Sequence, residues 1–126
     1  MAYTGTVCTE TEIAIFAGEL VDSTGNTEAN RNLLVAQAES FLSNLMRFNV
    51  VDNFAALNAD VKRMLSEWAA RYCGISLIAF NMHGFGSTES TARIHAEDLV
   101  NIHAWRMHHI ELILKDQNSN TFIKGA

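Results

Sequence analysis

The chain contains no proline among its 126 residues, whereas an average chain of this length carries about six. Proline removes a backbone hydrogen-bond donor and clashes with the preceding helical turn, so it interrupts helix interiors and central strands. Its absence therefore favours long, uninterrupted helices. The length suits one domain, and 48% hydrophobic residues supply a core that needs neither a disulfide nor a metal. We expect an all-α fold in a single domain over residues 1–126.

Hydrophobic periodicity and capping residues predict a compact bundle of about four helices, at about Glu10–Leu20, Glu28–Phe48, 59–82 and Glu89–Lys115. Thr9 and Glu12 form a capping box before the first helix. The third helix, about 36 Å long, has Asn58 as its N-cap and ends at the segment 83–86, where a glycine suits the C-terminal cap. The polar tail over about 118–126 is typical of an extended C-terminal arm.

The apolar positions of the second and third helices predict the sides that face the core. In the second helix, spacings of four and three give a seam of Leu34, Ala38, Phe41, Leu45 and Phe48. In the third helix, a continuous stripe consists of Val61, Met64, Leu65, Trp68, Tyr72, Ile75, Ala79 and Met82. The charged residues expected to face away from it are Lys62, Arg63, Glu67 and Arg71. No charge follows until Glu89, so we expect Ile75–Met82 to be buried on all sides.

The fourth helix is apolar on two sides. One side carries Leu99, Val100, Met107, Ile110 and Leu114, and the other carries Ile94, Ile102, Trp105, Leu112 and Ile113. Such a helix either lies between neighbours within the domain or offers one side to a partner, and the sequence leaves both arrangements open. Our candidate residues for a subunit interface are Ile94, Ile102, Trp105 and Ile113.

No set of residues has the spacing of a metal site or an active site. Ligands on one helix meet at a metal ion only when they are three or four residues apart, and the histidines of the fourth helix are separated by eight, five and one: His95, His103, His108 and His109. We expect these to be boundary or solvated side chains. Cys8 and Cys73 are expected to be reduced thiols, with Cys73 buried in a helix. The chain lacks a Gly-x-Ser-x-Gly nucleophile turn and a phosphate-binding glycine motif. We therefore predict no catalytic, cofactor-binding or metal-binding residue, and a protein that is not an enzyme.

The formal charge of −5 is unevenly distributed along the chain. Residues 1–60 contain 8 acidic and 2 basic residues, a net charge of −6, and residues 61–126 contain 6 acidic and 7 basic residues, a net charge of +1. An acidic chain without a lysine or arginine cluster is a poor candidate for gripping duplex DNA. The longest apolar stretch, Ile75–Phe80, is far shorter than the roughly 20 residues of a membrane span. We expect a protein made in the cytoplasm, with no membrane partner.

The order and lengths of these elements resemble those of the small head–tail connector, or adaptor, proteins of tailed bacteriophages, particularly short virion proteins of marine phages. The segments that carry this resemblance are Thr27–Phe41, Leu57–Met82, Arg93–Asp116 and Thr121–Ala126. The resemblance implies a structural protein located in the virion, at the head–tail junction. It implies a homo-oligomeric ring, typically twelvefold, that lies below the portal and extends the DNA channel.

The partners implied by the resemblance are other copies of the chain, the portal protein and the next neck or tail protein. DNA passes through the channel of such a ring without sequence-specific binding. The C-terminal arm is expected to dock onto the portal or a neighbouring subunit through Thr121, Phe122, Ile123 and Lys124. A two-fold dimer formed through the fourth helix, acting as a small interaction or regulatory protein, is the alternative function.

Overall fold

The computed structural model describes residues 2–18, 26–82 and 90–115. Within these ranges the protein is all-α: the regular elements are helices, and no strand occurs. The helices are α1 (Glu10–Ala17), α2 (Glu28–Met46), α3 (Val50–Asn53), α4 (Ala59–Met82) and α5 (Ser90–Lys115), with one turn of 3-10 helix at Phe54–Ala56. The predicted end of the first helix at Leu20, the segment 83–86 and the C-terminal arm lie outside the described residues.

Capping hydrogen bonds define the starts of α1, α2 and α4 as the sequence predicts. The Thr9 hydroxyl accepts the backbone N–H of Glu12 at 3.2 Å, and the Glu12 carboxylate accepts the N–H of Thr9 at 3.0 Å. Thr27 accepts the N–H of Asn30 at 3.2 Å. The Asn58 side chain accepts the N–H of Asp60 at 2.9 Å. The predicted capping box and the predicted bounds of the long central helix are therefore confirmed.

The second predicted helix ends earlier than expected. Arg47 adopts the left-handed conformation, with φ of 62°, and its N–H donates to the Ser43 carbonyl at 2.9 Å. This geometry terminates a helix, so α2 stops at Met46 rather than Phe48. The short helix α3 and the 3-10 turn then lead from the end of α2 to Leu57.

Helix α4 is the central element, and α1, α2 and α5 all pack against it. Its fully buried residues recur at helical spacing: Val61, Leu65, Trp68, Ala69, Ala70, Cys73, Leu77 and Ile78. A Cβ atom on Gly74 would lie 3.1 Å from the backbone N of Ala17 and 3.1 Å from the backbone C of Phe16. The glycine therefore lets the end of α1 approach the backbone of α4 more closely than a larger residue allows.

The predicted seam of α2 is confirmed in part, because Ala38 is buried and Leu34, Leu45 and Phe48 pack against the core. The buried residues are Val35, Ala38, Glu39 and Leu42, whereas Phe41 is 44% exposed. The Phe41 ring instead stacks on the Trp68 indole at the edge of the core, with the ring centroids 4.8 Å apart. Because the acidic Glu39 lies on the buried side, the true stripe reads as interrupted in the sequence.

The sequence predicts that the second half of α4 is buried on all sides, but the structure leaves one side exposed. Leu77 and Ile78 are buried, but Ala79 is exposed and the Phe80 side chain is 48% exposed. Successive residues on a helix point about 100° apart, so the exposed pair lies opposite the buried pair. The neighbouring helices therefore cover one side of α4 at this end and leave the other side open.

Glu39 joins α2 to the N-terminal segment, residues 2–9. One carboxylate oxygen accepts the backbone N–H groups of both Thr6 and Val7, at 2.7 and 2.9 Å. The Ser66 hydroxyl donates to the Val7 carbonyl at 2.6 Å, which attaches the same segment to α4. The segment places Cys8 in the core, where it is a free thiol like the buried Cys73. The predicted burial of Cys73 is confirmed.

Candidate interaction surface

His103 lies at a junction of three helices, although the sequence predicted a boundary or solvated side chain. It is only 5% exposed. Its Nε2 atom lies 2.9 Å from the Phe16 carbonyl oxygen of α1, and its Nδ1 atom lies 2.7 Å from a guanidinium nitrogen of Arg71 on α4. A carbonyl only accepts and a guanidinium only donates. The ring must therefore be neutral, with its proton on Nε2 and an acceptor lone pair on Nδ1.

The junction extends from His103 through Arg71 to Glu67. Arg71 Nε donates to the Glu67 carboxylate at 2.8 Å. Arg106 of α5 donates to both oxygens of the same carboxylate, at 2.6 and 3.2 Å. Glu67 and Arg71 are expected to face away from the apolar stripe of this helix; in the structure both side chains turn toward α5, with 22% and 16% of their surface exposed. The Arg71 guanidinium also lies 4.4 Å from the centre of the Phe16 ring.

The surroundings of the junction determine its charge states. Burial disfavours the charged imidazolium and lowers the pKa of His103; the bond to the Phe16 carbonyl opposes this effect, and the positive charge of Arg71 adds to it. Burial alone raises the pKa of Glu67, but the hydrogen bonds from Arg106 and Arg71 outweigh it and lower that pKa overall. At neutral pH the junction therefore combines a neutral histidine, two guanidinium groups and a carboxylate.

These contacts determine which side of α5 faces the core. His103 lies on the same side as Met107, Ile110 and Leu114, all of them buried, at successive spacings of four, three and four. The Trp68 indole N–H also donates to the Glu111 carboxylate, at 3.1 Å. With this side turned inward, the opposite side of α5 necessarily points away from α1 and α4.

The outward side of α5 is apolar and exposed. The exposed fractions are 52% for Ile94, 57% for Ile102, 63% for Trp105 and 54% for both Leu112 and Ile113. At 100° per residue the five side chains lie within an arc of about 100°, and they extend about 28 Å along the helix. We call these five residues the α5 apolar face. The sequence allows α5 either to lie between neighbours within the domain or to offer one side to a partner. In the structure, the described part of the domain does not cover the α5 apolar face. Its role in subunit contact stays a prediction.

Among the side chains that the structure describes, two polar residues lie within the same arc. Asp98 and His109 are both exposed. The His109 ring packs against the Trp105 indole, with centroids 4.4 Å apart, and its Nδ1 lies 3.2 Å from the Trp105 carbonyl oxygen. The indole is therefore held against its own helix, which lowers the entropy it loses on binding.

An open groove of about 550 Å³ lies beside α1 and α4. It is lined by Glu12, Ile15, Phe16, Phe54, Lys62, Arg63, Ser66, Glu67 and Arg71. Its candidate nucleophile and base are already engaged: Ser66 donates to the Val7 carbonyl, and Glu67 is held by two arginines. The groove therefore does not bring together a free nucleophile, a base and an oxyanion donor.

Within residues 2–18, 26–82 and 90–115, no three histidine, cysteine or acidic side chains come close enough together to bind a metal ion. Over the same ranges, no helix combines the length and the apolar character needed to cross a bilayer. Comparisons of the chain with protein-family models, with curated proteins and with solved structures find no match.

Replacing His103 with Gln is expected to flatten the acid side of the stability profile, because glutamine offers a donor and an acceptor but does not titrate. In the wild-type protein the folded pKa of His103 is lowered, so the unfolded chain binds the proton more readily. This contribution to the free energy of unfolding is complete above the usual histidine pKa of about 6.5, and it is lost as the pH falls through the lowered folded pKa. Urea unfolding between pH 8 and pH 5 measures the free energy of unfolding of the wild-type protein and of the variant. If the two free energies depend on pH in the same way, His103 is not a buried neutral histidine.

Ile102 and Ile110 provide a matched pair of substitutions on one helix. Ile110 is fully buried and Ile102 is 57% exposed. Changing Ile110 to Ala is expected to reduce the free energy of unfolding by about 2–5 kcal/mol, because it leaves a cavity. Changing Ile102 to Ala is expected to alter it by less than about 1 kcal/mol. Urea unfolding of dilute protein measures both, and equal losses contradict the assigned orientation of α5.

Proposed function

We propose that the protein is a structural assembly protein that makes contact through the α5 apolar face, and that it is a head–tail connector of a tailed-phage virion. The observation that carries the proposal is this face of five exposed apolar side chains on a helix held in place by the His103 junction. Monomeric proteins rarely leave a contiguous apolar surface uncovered, and large ones mark interaction sites.

The chemistry of the α5 apolar face supports a protein partner. A large aromatic residue, Trp105, lies among branched aliphatic side chains, and aromatic residues at the centre of a contact often carry much of its binding energy. Charged residues flank the apolar residues and give the surface a polar rim, as is common at protein interfaces. The groove beside α1 and α4 lacks the free nucleophile and base that an enzyme needs, because Ser66 and Glu67 are engaged in hydrogen bonds.

A connector ring requires each subunit to present two different surfaces, one to each neighbour. In the proposed ring the α5 apolar face supplies one of them, through Ile94, Ile102, Trp105 and Ile113. The uneven charge, −6 over residues 1–60 and +1 over residues 61–126, favours head-to-tail attraction between subunits. The C-terminal residues Thr121, Phe122, Ile123 and Lys124 are proposed to dock onto the portal. The acidic half of the chain lets DNA pass through the channel without being gripped.

A second candidate is a two-fold dimer that acts as a small interaction or regulatory protein. The specific observation in its favour is the arrangement of α5, where two exposed apolar pairs, Ile102 with Trp105 and Ile94 with Ile113, are each equidistant from the midpoint of the face. A surface with this pattern complements itself when one copy is turned by 180°.

Density-gradient fractionation of a lysate of the native source tests the connector proposal. Mass spectrometry of each fraction follows the protein, and the number of copies per particle is obtained by comparison with the most abundant capsid protein. We expect the protein to sediment with intact virus-sized particles, in several copies each. If it remains wholly in the low-mass soluble fractions, the connector proposal is wrong and the dimeric interaction protein becomes the better account.

A further inference from the structure

Three pairs of exposed residues on the outward side of α5 are equidistant from the midpoint between His103 and Ala104. Ile102 and Trp105 lie at equal distances from that point, as do Asp98 and His109. Ile94 and Ile113 are also equidistant from it, at the two ends of the face. In these pairs each apolar residue matches an apolar residue and Asp98 matches an imidazole, whereas the position that matches Leu112 in the sequence is His95.

We propose that two copies of the protein pair through α5 in antiparallel orientation, with the two-fold axis at this midpoint. Ile102 of each copy then packs against Trp105 of the other, and Asp98 of each copy faces His109 of the other. The occupant of the α5 apolar face in the unassembled protein is thus a second copy of the same chain.

The spacing of the exposed residues supports a helix–helix contact. Asp98, Ile102, Trp105, His109 and Leu112 are separated by four, three, four and three residues, which is the heptad spacing of a helical seam. Helix α5 has 26 residues, so it provides more than three heptads for the contact. The side of α5 that packs on α4 is separate from this seam, because it consists of His103, Met107, Ile110 and Leu114.

The charges of α5 favour the antiparallel orientation over the parallel one. Glu97 and Asp98 are exposed in the N-terminal half, and His108, His109 and Lys115 are exposed in the C-terminal half. The acidic Glu111 in that half is turned toward Trp68 of the same subunit. Antiparallel pairing places the acidic half of one helix over the basic half of the other, and it opposes the two helix dipoles. Parallel pairing instead places Asp98 beside Asp98.

This pairing specifies the contact of the dimeric candidate, and it does not depend on the connector proposal. A two-fold contact uses the same surface on both subunits and closes at two copies, so it describes the protein before it enters a larger assembly. It covers apolar surface that otherwise promotes aggregation. In a connector, the ring contact replaces the dimer contact. If the purified chain does not form a dimer, the connector proposal still stands. If the protein does not sediment with virus particles, the dimer proposal still stands.

Sedimentation equilibrium of the purified full-length chain, at about 1–100 µM, tests the pairing. We expect a mass of twice the 14.0 kDa chain at the higher concentrations. His109→Glu places two carboxylates opposite each other at two symmetric positions, so it is expected to weaken dimerisation roughly tenfold or more. Asp98→Lys combined with His109→Glu exchanges the charges and is expected to restore it. Ala104→Glu adds the same charge at an exposed position outside the arc and serves as the control, with no loss of dimer expected.

A wild-type chain that is monomeric at 100 µM contradicts the pairing. So does a double variant, Asp98→Lys with His109→Glu, that dimerises no more strongly than His109→Glu alone. A closed assembly of more than two copies also contradicts it. Circular dichroism of each variant separates loss of pairing from loss of fold, because residues 98, 104 and 109 are all exposed. A variant with unchanged helix content and unchanged thermal midpoint reports on pairing alone.

Cross-linking determines the orientation directly. Asp98→Cys combined with His109→Cys introduces two thiols that are about 16 Å apart along one helix, too far for a disulfide within a chain. Mild oxidation is expected to give a covalent dimer whose peptides link position 98 to position 109. Links from 98 to 98 and from 109 to 109 indicate a parallel pair and overturn the proposal, as does the lack of any inter-chain link. The wild-type chain is the control, because Cys8 and Cys73 are buried.

Discussion

The hydrogen bonds of His103 are the interaction on which the arrangement of the long helices depends. His103 joins the last turn of α1, through the Phe16 carbonyl, to Arg71 of α4. That carbonyl is among the backbone groups that a helix end leaves without an intrahelical partner. Glu67 then neutralises Arg71 and binds Arg106 as well. A buried polar network of this kind strongly favours one arrangement, because a displaced member leaves others unpaired in a medium of low dielectric constant.

The same junction determines which surface the protein presents. Helix α5 is apolar on two sides, so apolar burial alone permits more than one rotation about its axis. The hydrogen bonds of His103 and the hydrogen bond from Trp68 to Glu111 select one of these rotations. As a result Ile102 and Trp105 remain exposed rather than entering the core. The polar contacts thus give α5 its specific orientation, and the apolar side that they leave outside is the feature from which we infer assembly.

Much of the helical framework follows from the sequence, since capping residues and apolar stripes are local signals. Helix α4 begins and ends where its pattern predicts, and the division of α5 into two apolar sides is correct. Two of the errors, in α2 and in α5, arise where a polar residue is buried through a contact distant in the sequence. Glu39 interrupts the stripe of α2 because its partners are backbone N–H groups of the N-terminal segment. His103 shares the spacing of Met107 and Ile110, which is the one local sign of its burial, but its partners come from α1 and α4.

We expect the α5 apolar face to be covered by protein in the native assembly. Hydroxyl-radical footprinting, read by mass spectrometry, compares oxidation of side chains in the assembled protein from its native source with oxidation in dilute purified protein. We expect strong protection of Trp105 and Ile102 in the assembly, while exposed Arg63 and Lys115 serve as references for overall accessibility. Equal oxidation of Trp105 in both states contradicts this expectation.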